Sequence, residues 1–219
     1  MTERTPSCGC LLCDEVKNTS PLSVQLGRCV EPRMAFLLES EHFALLPDLF
    51  PLMAGHCLMI SKPHFVNMAC RDAVIEREFR DFWHTSYDFI SKKYGAPLAF
   101  EHGSTNEALG GGSCVFHAHI HLIPARAPVE DALRVFGRIE TFPMTKTWIT
   151  SSEVGINDYL AYHSQDGSKG FVAPLIKAPP CQFIRRFIAH YIGFAHWNWK
   201  AALFSPSSRQ TPPPVNSCV

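Results

Sequence analysis

No stretch of this chain runs apolar for the ~18 residues that a membrane-spanning helix requires, so a membrane protein is not expected. Neither sign of charge dominates. Lys+Arg and Asp+Glu stand at 20 each, which removes the global field that draws proteins to nucleic acid or anionic lipid. Nucleic acid is therefore not expected as a partner, although a local basic patch stays open. The opening Met1-Thr-Glu-Arg-Thr-Pro6 lacks a basic and then apolar leader, so a secretory signal is not expected. A paired disulfide framework is also missing, because the 9 cysteines are odd in number and scattered. The expectation is a reducing, cytoplasmic setting, with some cysteines free and others at a metal. No internal repeat is visible.

What is present suits one domain with an extension, or two small domains. The chain has 219 residues, and its 46% apolar content is enough for a core. Residues 1–33 read as an irregular segment with clustered cysteines. Residues 34–124 hold the strongest periodicity. Ala35–Glu39 and Phe43–Pro47 read as a hairpin around Ser40-Glu-His42, and His56–Ile60 as a third strand. From Asn67 to Tyr94, Ile75, Phe79, Phe82, Phe89 and Ile90 recur at helical spacing, with Gly95-Ala-Pro97 as the stop. Leu98–Glu101 and Cys114–Ile123 read as further strands, separated by the Gly-rich loop Gly103–Gly112. The extension, 125–204, is expected to hold a short helix at Asp131–Gly137 and a strand at Trp148–Thr150. A hairpin around Asp166-Gly167 and an amphipathic helix over Cys181–Phe194 follow. The tail, 205–219, with Thr211-Pro-Pro-Pro214, reads as disordered. The fold class is α+β: an antiparallel sheet of about five strands with a long helix packed on it, plus a C-terminal α/β extension.

The segment His117-Ala-His119-Ile-His121-Leu-Ile123 carries the chemistry. Alternation along a strand puts three imidazoles in one row, with Ala118, Ile120 and Leu122 packed behind them. Imidazoles have polar nitrogens that a core does not satisfy, so such a row suits metal binding, proton transfer or phosphoryl chemistry. The glycines just upstream can bring backbone N–H groups to a phosphate. The competing reading is three incidental histidines on a solvated face.

The segment resembles the histidine triad motif, His-x-His-x-His followed by two apolar residues, and the preceding Gly112-Ser-Cys-Val-Phe116 resembles its approach. Phe43-Ala-Leu-Leu-Pro-Asp48, then Gly55-His-Cys-Leu-Met-Ile-Ser-Lys-Pro-His64, is similar to the second conserved block of that superfamily. The resemblance spans about residues 10–124. It implies that His119 attacks the α-phosphorus of a nucleotide ester, anhydride or amidate, giving a nucleotidyl-histidine released to water or another acceptor. His121 would contact the phosphate or leaving group, with His117 completing the catalytic row. Asp48 would accept from the ribose hydroxyls, with Leu49, Gly112, Ser113 and Cys114 completing nucleotide binding. Two positions depart from the family pattern. Ser113 stands where glutamine is common, and Glu101 where asparagine is common; a carboxylate there would repel phosphate unless protonated or turned away.

Cys10-Leu-Leu-Cys13 offers two thiolates for a tetrahedral zinc, with a redox pair or free thiols as alternatives and Cys8 as an alternative ligand. Branches of the resembled superfamily complete such a site with the residues here numbered His64 and His117, which makes the zinc structural. Cys29, Cys57, Cys70, Cys114, Cys181 and Cys218 read as ordinary small residues or free thiols. In the extension, Arg185-Arg186 reads as a solvated pair or a phosphate contact, and Trp197 and Trp199 as packing residues. The extension is expected to cover the active site or the seam of a homodimer. The leading expectation is a nucleotide phosphate hydrolase or nucleotidyltransferase acting on a nucleotide or nucleotide conjugate. The alternatives are a catalytically inactive nucleotide-binding or interaction module, and a biosynthetic-pathway enzyme reusing the site on another substrate.

Overall fold

The computed structural model describes residues 10–19, 21–30, 35–71, 73–104, 115–142, 147–155, 158–165 and 169–204. Cys8, Gly112, Ser113, Cys114, Cys218 and the tail from Ser205 lie outside them.

Among the described residues, eight strands form one antiparallel sheet. They are β1 (Leu38–Glu39), β2 (Phe43–Pro47), β3 (Cys57–Ser61), β4 (Leu98–Gly103), β5 (His119–Ile123), β6 (Glu140–Phe142), β7 (Tyr159–His163) and β8 (Gly170–Pro174). Their order is β1-β2-β3-β5-β4-β7-β8-β6. The first five are the strands expected from residues 34–124. The other three come from the extension, so the sheet exceeds the expected five strands. β7 pairs along β4 from Ala99↔His163 to Gly103↔Tyr159. A bare β4 edge would leave a row of backbone donors and acceptors unpaired, and the extension satisfies them from the same chain.

One face of the sheet carries α3 (Glu76–Tyr94). Its buried Phe79, Phe82, Trp83 and Ile90 cluster with Phe43, Leu45, Met59, Ile120 and Leu122 from the strands. Glu76 and Glu78 in the first turn and Lys92 and Lys93 in the last suit the helix dipole. Gly95, at φ 90, ends it. The helix starts later than the periodicity suggests. Asn67 caps a 3-10 turn at Met68–Cys70, its side chain accepting from the Cys70 N–H. Arg71 pins this turn by donating to the Met68 and Ile149 carbonyls while lying 4.1 Å over the Phe79 ring.

The opposite face is covered at both ends. At one end, the segment expected to be irregular forms α1 (Leu11–Lys17) and α2 (Leu22–Gln25). Leu12 and Val16, one helical turn apart, cluster with Ala44, Leu46 and Ile60, which rewards helix in so short a piece. The Glu15 carboxylate accepts from the Ser23 N–H (2.7 Å) and hydroxyl (2.6 Å) and so locks α2 to α1. At the other end lie α4 (Val129–Leu133) and α6 (Phe183–Tyr191). Their Val129, Leu133, Ile184, Ile188 and Ala189 cluster with Leu98, Leu160 and Ala173. Trp148–Thr150, expected as a strand, instead leads into α5 (Ser151–Val154). There Thr150 and Glu153 cap each other's backbone reciprocally. α7 (Trp199–Phe204) ends the described chain. Among the described residues, no helix is long and apolar enough to cross a membrane.

Candidate active site and metal centre

Cys10 sits at the N-cap of α1 and accepts from the Cys13 N–H at 3.5 Å, so the first helical turn turns both sulfurs the same way. His64 follows β3, and His117 precedes β5. Cys13 Sγ lies 3.1 Å from His64 Nδ1 and 3.4 Å from His117 Nδ1, and Cys10 Sγ lies 3.3 Å from His117 Nδ1. All four donor atoms fall within 4.8 Å of one another. Edges near 3.5 Å are what a tetrahedron with bonds of about 2.3 Å to sulfur and 2.0 Å to nitrogen requires. His117 Nε2 donates to the Ser61 carbonyl at 2.7 Å, which fixes the tautomer that leaves Nδ1 its lone pair. Burial pushes the Cys13 thiol up to about 12, reinforced by Cys10 beside it, so thiolates here need a cation. Burial likewise lowers His117 to about 4, which keeps it neutral. The donor set fits a tetrahedral, thiophilic divalent ion and leaves no open position.

The row of histidines divides at this point. β5 begins at His119. His117 belongs to the Cys/His cluster, while Ala118 extends the pairing with β3 by accepting from the Ser61 N–H at 3.2 Å. His119 and His121 line a cleft between the two covered ends of the sheet face. His119 Nδ1 donates to the His117 carbonyl at 2.6 Å, which leaves the lone pair on Nε2. Burial lowers its pKa, so the ring is neutral near pH 7.

His121 is fixed in the opposite sense. The Leu52 N–H donates to His56 Nδ1 at 3.1 Å, so the proton of neutral His56 lies on Nε2. His56 Nε2 is 2.9 Å from His121 Nδ1 and donates to it, which places the His121 proton on its Nε2. Burial holds His56 at about 4 and His121 well below the ordinary histidine value. Phe100 on β4 stacks on His121 at 4.4 Å and 11°, and His119 meets it edge-on at 5.2 Å. Two adjacent imidazoles thus present unlike ends: a lone pair on His119 and an N–H on His121.

Asp48, just after β2, and Leu49 also line the cleft. The Asp48 carboxylate accepts from the Phe50 N–H at 2.7 Å and from Arg185 Nη1 at 2.9 Å. Arg185, on α6, also donates from Nε to the Trp197 carbonyl at 2.8 Å and from Nη2 to the Phe50 carbonyl. Burial alone would raise the Asp48 carboxyl, but Arg185, then His56, hold it below the usual carboxylate range. The solvated-pair reading of Arg185 is therefore corrected, because the residue is 3% exposed. Its position was a signal. Ile184, Arg185, Ile188 and Ala189 form the buried stripe of α6, so this arginine falls where an apolar residue is due.

Glu101 points to the α3 side of the sheet. It accepts from the Met68 N–H (2.6 Å), the Tyr159 hydroxyl (2.7 Å) and Trp148 Nε1 (2.9 Å). The cleft-facing residues of β4 are Phe100 and His102. Sequence reasoning missed Phe100, His102 and His56; it offered Arg185 only as a phosphate contact and the cleft-lining Trp199 only as a packing residue. Cys181, expected as an ordinary small residue or a free thiol, is disulfide-bonded, while Cys29 and Cys70 are free thiols.

A histidine row on an antiparallel sheet, backed by a long helix and facing a cleft, defines the histidine triad fold. Residues 31–127 match the HIT domain model, so this part of the chain is similar to the histidine triad domain. An uncharacterized HIT-like protein from Mycoplasma genitalium is 27% identical over 128 residues, 56% of this chain and 77% of that protein. A zinc-bound histidine triad family protein from Mycobacterium smegmatis is 21% identical, covering 56% of this chain and 79% of its own, at a TM-score of 0.40. A HIT family hydrolase from Clostridium thermocellum is 21% identical, covering 54% of this chain and 91% of its own, at a TM-score of 0.38. The matched domain ends at residue 127, so the extension lies beyond it.

Proposed function

We propose that this chain is a nucleotide phosphate hydrolase or nucleotidyltransferase that works through a covalent nucleotidyl-His119 intermediate. One observation carries the reading: the His119 Nδ1 proton is held by the His117 carbonyl, which commits the Nε2 lone pair of a neutral ring in the cleft. That pair forms a bond to the α-phosphorus. The bond to the leaving group breaks, and its electrons depart with that group, met by the Nε2–H of His121. Water or another acceptor then attacks the same phosphorus and loses its proton, and the P–N bond returns its pair to His119. Asp48 receives the sugar hydroxyls, and the apolar end of the cleft, with Leu46, Phe50 and Trp199, takes the base. Gly112, Ser113 and Cys114 remain proposed contacts to the phosphate.

Zinc, in this proposal, is held by Cys10, Cys13, His64 and His117 and supplies rigidity rather than chemistry. It fixes the peptide whose carbonyl orients His119. With the β4 edge taken by β7, pairing of two copies through that edge is not proposed.

Replacing His119 with Ala is expected to abolish turnover of a nucleoside phosphoramidate or dinucleoside polyphosphate while the melting temperature holds. Turnover at the parent rate would remove His119 from the role of nucleophile. A second reading, nucleotide binding without turnover, draws on Glu101, whose engagement on the α3 side leaves β4 without a polar contact at that position. Tight mononucleotide binding with no turnover across a broad panel would favour it.

A further inference from the structure

We propose that Arg185 makes the C-terminal extension part of the sugar subsite, as the positioning residue that holds Asp48 in its hydroxyl-accepting state. The inference rests on the nucleotide reading of the His119 cleft and adds a determinant from outside the HIT domain. Asp48 is nine-tenths buried, and a carboxylate so placed needs a compensating partner to stay ionised. His56 sits 3.3 Å from Asp48 Oδ2, but it is neutral and its proton is directed to His121. Arg185 supplies the charge. Its fork also grips the Phe50 carbonyl, and the Phe50 N–H grips Asp48 Oδ1. One guanidinium therefore sets both the charge of the carboxylate and the turn that carries it. Its Nε bond to the Trp197 carbonyl joins this turn to the segment leading into α7, whose Trp199 lines the same cleft and stacks with Phe50 at 6.3 Å. The carboxylate retains lone pairs beyond those used, since it has about four acceptor sites. A nucleoside whose sugar lacks both hydroxyls would leave those sites empty, and the site should reject it.

The test uses the full chain and equilibrium binding, so it does not depend on turnover. The probes are the four common ribonucleoside 5′-monophosphates and their 2′,3′-dideoxy counterparts, titrated by calorimetry. For the best-bound base, the parent protein should prefer the ribose form by about 10- to 100-fold, the worth of charge-assisted hydrogen bonds. Arg185→Gln should weaken ribonucleotide binding more than dideoxynucleotide binding, so that the preference collapses to about threefold or less. Arg185→Lys keeps the charge and loses the fork. It serves as the second variant if Arg185→Gln fails to fold, and it should give an intermediate preference. A preference unchanged from the parent in Arg185→Gln, or in Arg185→Lys where the glutamine variant fails to fold, would overturn the proposal, because a merely structural salt bridge would weaken both forms alike or neither. Binding of both forms by the parent without preference would sink the proposal and leave the nucleotide reading standing. Binding of no probe at all would sink both.

Discussion

Arg185 Nη1 lies 2.9 Å from Asp48 Oδ2 across 137 positions of sequence, both groups buried. Removing the cation strands a carboxylate in a medium that solvates it poorly, at a cost of about 3–5 kcal/mol. Arg185→Met should therefore unfold in urea with about that deficit at pH 7, and adding Asp48→Asn should recover part of it. The sign with pH follows from Asp48, whose folded pKa is depressed. The contribution of the pair is full above the unfolded carboxyl value of about 3.9 and is lost as pH falls through the lower folded value. Equal stabilities of Arg185→Met and the parent would contradict the pairing.

The metal centre predicts a composition. Purified protein should carry about one zinc per chain, the number one closed four-ligand site holds. Cys13→Ser should lose the metal and melt roughly 10 °C lower. Turnover should fall with it, because the His117 carbonyl that orients His119 belongs to a proposed zinc ligand. Metal-free protein whose melting is indifferent to added zinc would remove the assignment.

His56 and His163 give a pH dependence of their own. Burial lowers both to about 4. An unfolded histidine titrates near 6.5, so between those values the unfolded chain binds more protons. Stability contributed by the neutral rings is complete above about 6.5 and declines as pH falls toward 4. His163 is the cleaner probe. Neither ring nitrogen has a hydrogen-bond partner among the described residues, and Trp83, Trp148 and Phe142 surround it. His163→Phe should melt no lower than the parent at pH 7 and lose less between pH 7 and pH 5. Identical pH dependences in the two proteins would count against this account.

The parts legible in the sequence were those written in local pattern. The apolar runs flanking Ser40-Glu-His42, the helical spacing of Phe79, Phe82 and Ile90, and the pairing of β7 with β8 each report a neighbour close in sequence. Cys10, Cys13, His64 and His117 converge as the resemblance implied. The Thr150–Glu153 capping box was written just as locally, as Thr-x-x-Glu, and the strand reading of Trp148–Thr150 passed over it. The join between β4 and β7 and the bond between Asp48 and Arg185 are different. Nothing near Arg185 except its place in an apolar stripe separates a buried arginine from a solvated one. The partner that decides the matter is brought there only by the finished sheet.

The most direct measurement is mass spectrometry of acid-free, rapidly quenched protein after exposure to nucleoside phosphoramidates or dinucleoside polyphosphates, followed by peptide mapping. The account predicts an added nucleoside monophosphoryl group on His119, absent in His119→Ala. An adduct on another residue, or substrate consumed at the parent rate by the His119→Ala protein, would contradict it.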